Sequence, residues 1–237
     1  MNRAAPSLFA LPEVEALLRE ELAHLPAHAA RQPTGRALLL QPDAAARALP
    51  FDAGPLTMLR LHSRGETLGG DIVCAARSLP VESEAFQLVF AQHIGDMQPA
   101  TGLVEEIARV LAPGGFLLWS GFNPWSPWLA WVHWHTRGGG AVPQTLNADT
   151  LRRRLIRSKL APVAIDYLGG CWPKQPALLD DGAPSRFGRL LSPLRGAYLL
   201  TARKQRAALT PLRPRVVRKS VALNPRLAGT PSQRATA

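Results

Sequence analysis

Asp and Glu stop at Asp181, and the last 56 residues carry twelve Lys or Arg against no acid. The preceding 181 residues hold sixteen basic and seventeen acidic groups, so the net charge of +11 belongs to the C-terminal stretch. A near-neutral body does not read as a nucleic-acid-binding domain, and any electrostatic partner is expected on the tail. Cysteine is scarce too. Cys74 and Cys171 form neither a Cys-x-x-Cys nor a Cys/His spacing, which argues against a disulfide framework or a zinc site. No apolar run reaches the roughly 18 residues of a membrane span. Glu13, Glu15, Glu20 and Glu21 crowd the N-terminal segment, where a secretory signal would be apolar. These absences lead to the expectation of a cytoplasmic chain.

At 237 residues the chain suits one domain of about 100–200 residues with appendages. Pro12 followed by Val14, Leu17, Leu18, Leu22 and Leu25 has the spacing of an amphipathic helix, with Glu and Arg assigned to its other face. The Ala-Leu-Leu-Leu run within Arg36–Gln41 suits a first strand buried on both faces. Thr57–His62, Asp71–Ala75 and Phe86–Gln92 read as strands two to four, separated by Gly65, Gly69, Gly70 and Pro80. Pro99 opens a helix whose apolar face is Leu103, Val104, Ile107, Val110 and Leu111. Pro113-Gly114-Gly115 is expected to stop it, and Phe116–Ser120 is the fifth strand. A strand, helix and strand of this length make a right-handed βαβ crossover with parallel strands. Asn147 caps a further helix through Leu160, and Val163–Leu168 and Ala197–Arg203 complete the sheet. From Lys204 the periodicity fades among prolines, and the tail is expected to remain unstructured.

Leu79-Pro80-Val81-Glu82 leading into Phe86-Gln87, with Ile107-Ala108-Arg109-Val110-Leu111-Ala112-Pro113-Gly114-Gly115, closely resembles the second half of class I S-adenosylmethionine-dependent methyltransferases. Ser120-Gly121-Phe122-Asn123-Pro124 is similar to a type-11-like bacterial branch. The resemblance spans roughly Arg36 to Lys204. It implies an α/β fold: an open, mostly parallel seven-stranded sheet with helices on both faces and an antiparallel last strand. Three regions follow: an N-terminal helical segment (1–35), the methyltransferase-like domain (36–204) and a basic tail (205–237).

The resemblance further implies S-adenosylmethionine as cofactor. Its candidate contacts here are Gln41 and Asp43 after strand one, His62 at the end of strand two, Ala75 and Ala76 after strand three, and Gln92 after strand four. Several depart from the family pattern. The turn Gln41-Pro42-Asp43-Ala44-Ala45-Ala46 has no glycine, although glycine there lets the backbone approach the ligand. His62 stands where a carboxylate would accept from both ribose hydroxyls. Methyl transfer from a sulfonium is an in-line displacement in which positioning supplies much of the acceleration. His93 is the candidate proton acceptor and Asn123 the candidate acceptor-binding residue. No metal site is expected, since His133 and His135 have no third ligand nearby.

Two features lie outside this scheme. Trp119, Trp125, Trp128, Trp131 and Trp134 fall within sixteen positions, so the segment can pack on the domain, cover the cleft, lie in a membrane interface or dock a partner. Gly138-Gly139-Gly140 follows as a hinge or plain connector. Arg213, Arg215, Arg218 and Lys219 offer the tail an electrostatic partner, but no interleaved aromatics provide a stacking platform for nucleic acid. The leading expectation is methyl transfer to an unidentified acceptor; the alternative is a degenerate methyltransferase-fold binding or regulatory module.

Overall fold

The computed structural model describes residues 7–32, 34–137, 142–173 and 192–205. Residues Met1–Ala207 form one compact unit. The Gly138–Gly140 hinge and the tail residues 206–237 lie outside the described residues.

An eight-stranded sheet organises the unit in the order β4-β3-β2-β1-β5-β6-β8-β7. The strands are β1 (Gly35–Gln41), β2 (Leu56–Arg64), β3 (Thr67–Gly70), β4 (Cys74–Ala75), β5 (Phe86–Gln92), β6 (Leu111–Phe122), β7 (Leu160–Leu168) and β8 (Ala197–Lys204). β1 pairs in parallel with both β2 and β5, and β5 with β6. β8 inserts antiparallel between β6 and β7, as expected for the last strand. Only β3 and β8 run against the rest.

Alternation explains why β1 is so apolar. Leu38 and Leu40 enter one core and Ala37 and Leu39 the other, because successive strand residues point to opposite faces and both are covered. The first core is roofed by α4 (Ala100–Val110) and α6 (Ala148–Arg157) through Leu103, Val104, Ile107, Leu151 and Leu155. The second is roofed by α1 (Pro12–Leu22), α2 (Leu25–Ala29) and α5 (Pro127–Thr136). The Asn147 side chain accepts from Asp149 N (2.9 Å) and caps α6 as its sequence suggests. A short α3 (Ile94–Met97) joins β5 to α4.

The sheet has one strand more than the sequence suggests, and the difference is local. Asp71–Ala75 does not make a parallel third strand. Gly65 turns with φ 63°, and β2 folds back on β3 as an antiparallel hairpin; β4, only Cys74–Ala75, pairs with β3 in turn. Thr67-Leu68-Gly69-Gly70 is too short and glycine-rich to read as a strand without its partner. A second difference lies after α4. The helix ends at Val110, and β6 begins at Leu111 and runs through Pro113-Gly114-Gly115, with a register irregularity against β5.

Candidate functional site

The chain leaves β1 for β2 on one side and later places β5 on the other, so the strand order reverses at β1. In open α/β sheets the ligand crevice lies beyond the carboxyl ends at such a reversal. Here Gln41 and Asp43 bound it after β1, His62 on β2, and Gln92 and His93 after β5.

α1 sends Glu21 into this edge. Its side chain is fully buried although the residue looks like part of a solvated face. Gln92 Nε2 donates to Leu18 O (2.9 Å) and to Glu21 Oε2 (3.0 Å), and Ser120 Oγ donates to the same oxygen (2.9 Å). His93 Nε2 lies 2.8 Å from Glu21 Oε1, and its Nδ1 lies 2.7 Å from Asp96 Oδ2. The ring is fully buried and its backbone is left-handed, with φ 47°. Burial alone pushes an imidazole pKa down. The Glu21 carboxylate and the bonds to Asp96 and Glu21 outweigh it, lifting His93 to about 10. His93 is therefore an imidazolium clamped between two carboxylates, each N–H donating to one of them. Burial raises the Asp96 pKa against the opposing pull of His93 and of Phe122 N, which donates to Asp96 Oδ2 (3.0 Å).

The β1–β2 side is equally occupied by the protein's own groups. Gln41 Nε2 donates to Ala46 O (2.8 Å), and its Oε1 accepts from Arg60 Nη2 (3.1 Å). Asp43 accepts from Ala46 N (2.9 Å) and from the Ser7 hydroxyl. The Arg60 guanidinium lies 4.7 Å over the Phe51 ring, a cation–π arrangement. Arg47 pairs with Asp71. His62 is half-buried with no hydrogen-bond partner at Nδ1; burial and then the Arg47 charge lower its pKa, so it stays neutral. Gln98 Nε2 reaches across from the end of α3 to Ser63 Oγ (2.8 Å) and Gly65 O, tying the β5–α4 connection to the β2–β3 turn.

Of the residues expected from sequence, Gln41, Asp43, His62, Gln92 and His93 do meet at this edge. Three others do not. Ala75 lies on β4, separated from β1 by β3 and β2, and Ala76 packs into the α4-side core; the inserted hairpin has displaced both. Asn123 is 2% exposed, and its Nδ2 donates to Pro193 O (2.6 Å) and Arg195 O (2.9 Å) while its Oδ1 accepts from Trp125 N (3.1 Å). It holds the end of β6 to the segment before β8, which leaves no free group for an acceptor. His93 is present but has no free nitrogen to take a proton. Glu21, Asp96 and Ser120 had not been singled out. Glu21 left a signal: Val14, Leu17, Leu18, Glu21, Leu22 and Leu25 follow the i, i+3, i+4, i+7 stripe, so the carboxylate occupies a core-facing position.

The tryptophans divide. Trp119 and Trp128 are buried, and Trp128 Nε1 donates to Gly170 O (2.9 Å), whereas Trp125 and Trp134 are exposed. Among the described residues no group of three His, Cys, Asp or Glu side chains is placed to hold a metal ion. Among the same residues no helix is long and apolar enough to cross a membrane.

Sheet order, helices on both faces and a crevice at the β1 reversal define a Rossmann-like α/β protein of the methyltransferase kind. Residues 34–119 match the family described as a methyltransferase domain. No curated protein matches the chain. A S-adenosylmethionine-dependent methyltransferase from Thermotoga maritima, a possible histamine N-methyltransferase, superposes with a TM-score of 0.52 at 12% identity, covering 81% of this chain and 90% of that one. Geranyl diphosphate C-methyltransferase from Streptomyces coelicolor, crystallised with Mg2+, geranyl diphosphate and S-adenosyl-L-homocysteine, gives 0.51 at 15% identity, covering 86% of each chain. Residues 34–119 thus match a methyltransferase domain, and the fold is the one that class I S-adenosylmethionine-dependent methyltransferases share.

The family implies the cofactor, yet the crevice in this conformation does not fit it. The turn after β1 closes on itself through Asp43 and Ala46, a neutral His62 replaces the ribose carboxylate, and the Gln41 and Gln92 amides are bonded internally.

Proposed function

We propose that this protein takes S-adenosylmethionine at the carboxyl edge of β1, β2 and β5 and transfers its methyl group to an acceptor in the cytoplasm. One observation carries the reading: the family's matched span, residues 34–119, contains the three strands that bound the crevice. The bonds inside the crevice would have to rearrange for the cofactor to enter, so the described conformation is its closed form. The exposed Trp125, just before α5, and Trp134, on it, favour acceptor or partner docking on that side.

A second reading rests on the internal satisfaction of Gln41, Gln92, His93 and Asp43. Buried polar groups that are fully paired rigidify a structure, as in a methyltransferase-fold domain kept for binding or regulation. Titration calorimetry with S-adenosylmethionine up to millimolar concentration separates the two. Saturable one-to-one heat supports methyl transfer. A flat titration supports the binding module.

A further inference from the structure

α5 carries no Asp, Glu, Lys or Arg, and a helix this apolar is ordinarily covered on every side. Here it is covered on one. Trp128, Val132 and Thr136, spaced four residues apart, are buried toward the sheet, with Trp131 packed beside them. The opposite stripe, Pro127, Ala130 and Trp134, is exposed; its i, i+3, i+7 spacing puts all three on one side of the helix. The apolar surface continues past the helix. Trp125 is 72% and Trp134 68% exposed, and Trp172 and Leu194 are exposed as well. Ser126 Oγ donates to Leu194 O (2.8 Å) and Trp128 Nε1 to Gly170 O (2.9 Å), which brings both flanking segments against the first turn of α5. Among the described residues eight large apolar side chains are exposed, and these four lie on α5 or on the segments bonded to it. Single exposed apolar residues are ordinary, whereas a group of them marks an interaction surface.

Charge narrows the choice of occupant. No Asp or Glu occurs between Glu106 and Asp149. Arg137, directly after α5, sets its guanidinium 5.2 Å over the Trp134 ring, a cation–π arrangement that joins a positive charge to the exposed aromatic. On α1, which roofs the same core, Glu15 pairs with Arg19 and Glu20 accepts from Gly169 N (3.1 Å). Tryptophan has an apolar ring with one N–H that stays hydrated, and it gathers at bilayer–water interfaces for that reason. Exposed indoles beside a cation, on a stretch without acids, complement an anionic lipid surface. A second copy of the chain fits less well, because a self-paired face would set Arg137 against like charge.

We propose that the outer face of α5, with Trp125, Trp134 and Arg137 as its contacts, rests on the surface of an anionic phospholipid bilayer. The contact is interfacial, since among the described residues no helix is long and apolar enough to cross a membrane. Its strength follows the apolar area inserted plus the attraction of cations to anionic headgroups. After Asp181 the sequence adds twelve Lys or Arg and no acid, so the chain carries the second, electrostatic signal that lasting peripheral attachment needs beside shallow insertion. The proposal is independent of what the crevice at β1 binds.

The full chain and its Trp125→Ser/Trp134→Ser variant are compared by cosedimentation with vesicles of phosphatidylglycerol and phosphatidylcholine, and with vesicles of phosphatidylcholine alone. The native chain should partition onto the anionic vesicles with a blue shift of its tryptophan emission, and the variant should partition about tenfold less. Both replaced side chains are exposed, so the thermal midpoint should not move. In the native chain, brominated phosphatidylcholine mixed into the anionic vesicles should quench tryptophan emission, a readout that needs no variant. Absence of native partitioning overturns the proposal. Equal partitioning of both proteins without quenching also overturns it, and assigns the binding to charge alone. A native chain that is dimeric in solution, becomes monomeric in the variant and ignores both kinds of vesicle gives the face to a second copy instead.

Discussion

Held at φ 47° between two carboxylates, His93 concentrates more buried charge than any neighbouring described residue. A buried ion pair contributes little over an apolar isostere, but removing one partner leaves its neighbours uncompensated, at a cost of about 3–5 kcal/mol. His93→Asn isolates that effect, because Asn tolerates the left-handed backbone while its amide is too short to span Glu21 and Asp96. Urea denaturation of this variant should show a loss of about 3–5 kcal/mol with an unchanged m-value. The same cluster sets a pH dependence. The folded His93 pKa, about 10, lies above its ordinary 6.5, so the folded state holds the proton more tightly. Its contribution is complete below pH 6.5 and is lost as pH rises toward 10. The raised Asp96 pKa has the same sign, stability falling as that proton leaves, in a window beginning near its ordinary 3.8. The Tyr198 hydroxyl, raised by burial and then by Asp96, remains protonated across both windows. Denaturation midpoints measured from pH 6 to 10 should fall steadily in the native chain and stay flatter in His93→Asn.

Elements carry the signal differently. The stretch from Phe86 to Phe122 was legible because strand, helix and strand each have their own periodicity, although Gly114, at φ 83°, lies within β6 at its irregular start and not between helix and strand. Glu106 and Arg109 reinforce it. Glu106 accepts from Leu79 N (2.7 Å), while Arg109 pairs with Glu106 and donates to Leu79 O (3.0 Å), so the Leu-Pro turn is clamped to α4. The β2–β3 hairpin was not legible, since Thr67–Gly70 is a strand only because β2 offers it a partner. Nor was the clamp at the crevice, because Glu21, His93 and Asp96 come from separate segments and no local pattern joins them. α1 shows how a well-read element conceals a functional group: its stripe was found, while the carboxylate embedded in the stripe was assigned to the opposite face. Leu18 is fully buried between that helix and the sheet, and its carbonyl accepts from Gln92. Leu18→Ala should therefore cost about 2–5 kcal/mol, read by denaturant unfolding. Hydrogen exchange should also quicken at residues 12–22, which a purely global loss would not single out.

For the whole molecule, charge is unevenly divided along the chain. The compact unit Met1–Ala207 holds every acidic residue and 22 of the 28 basic ones, and residues 208–237 hold the remaining six. Removing 208–237 thus lowers the net charge from +11 to +5 and leaves every core residue among the described ones in place. Thermal unfolding of the shortened chain should keep the midpoint and cooperativity of the full chain, because the apolar burial that sustains it lies within the first unit. Elution from immobilised heparin should move to clearly lower salt, since polyanion binding scales with the number of cations engaged. An unchanged heparin profile would instead place the binding surface on the body, where α6 carries Arg152, Arg153, Arg154 and Arg157. Charge reversal on α6, at Arg152 and Arg153, would then move the profile that tail removal had left in place, and the basic tail would have no part in polyanion binding.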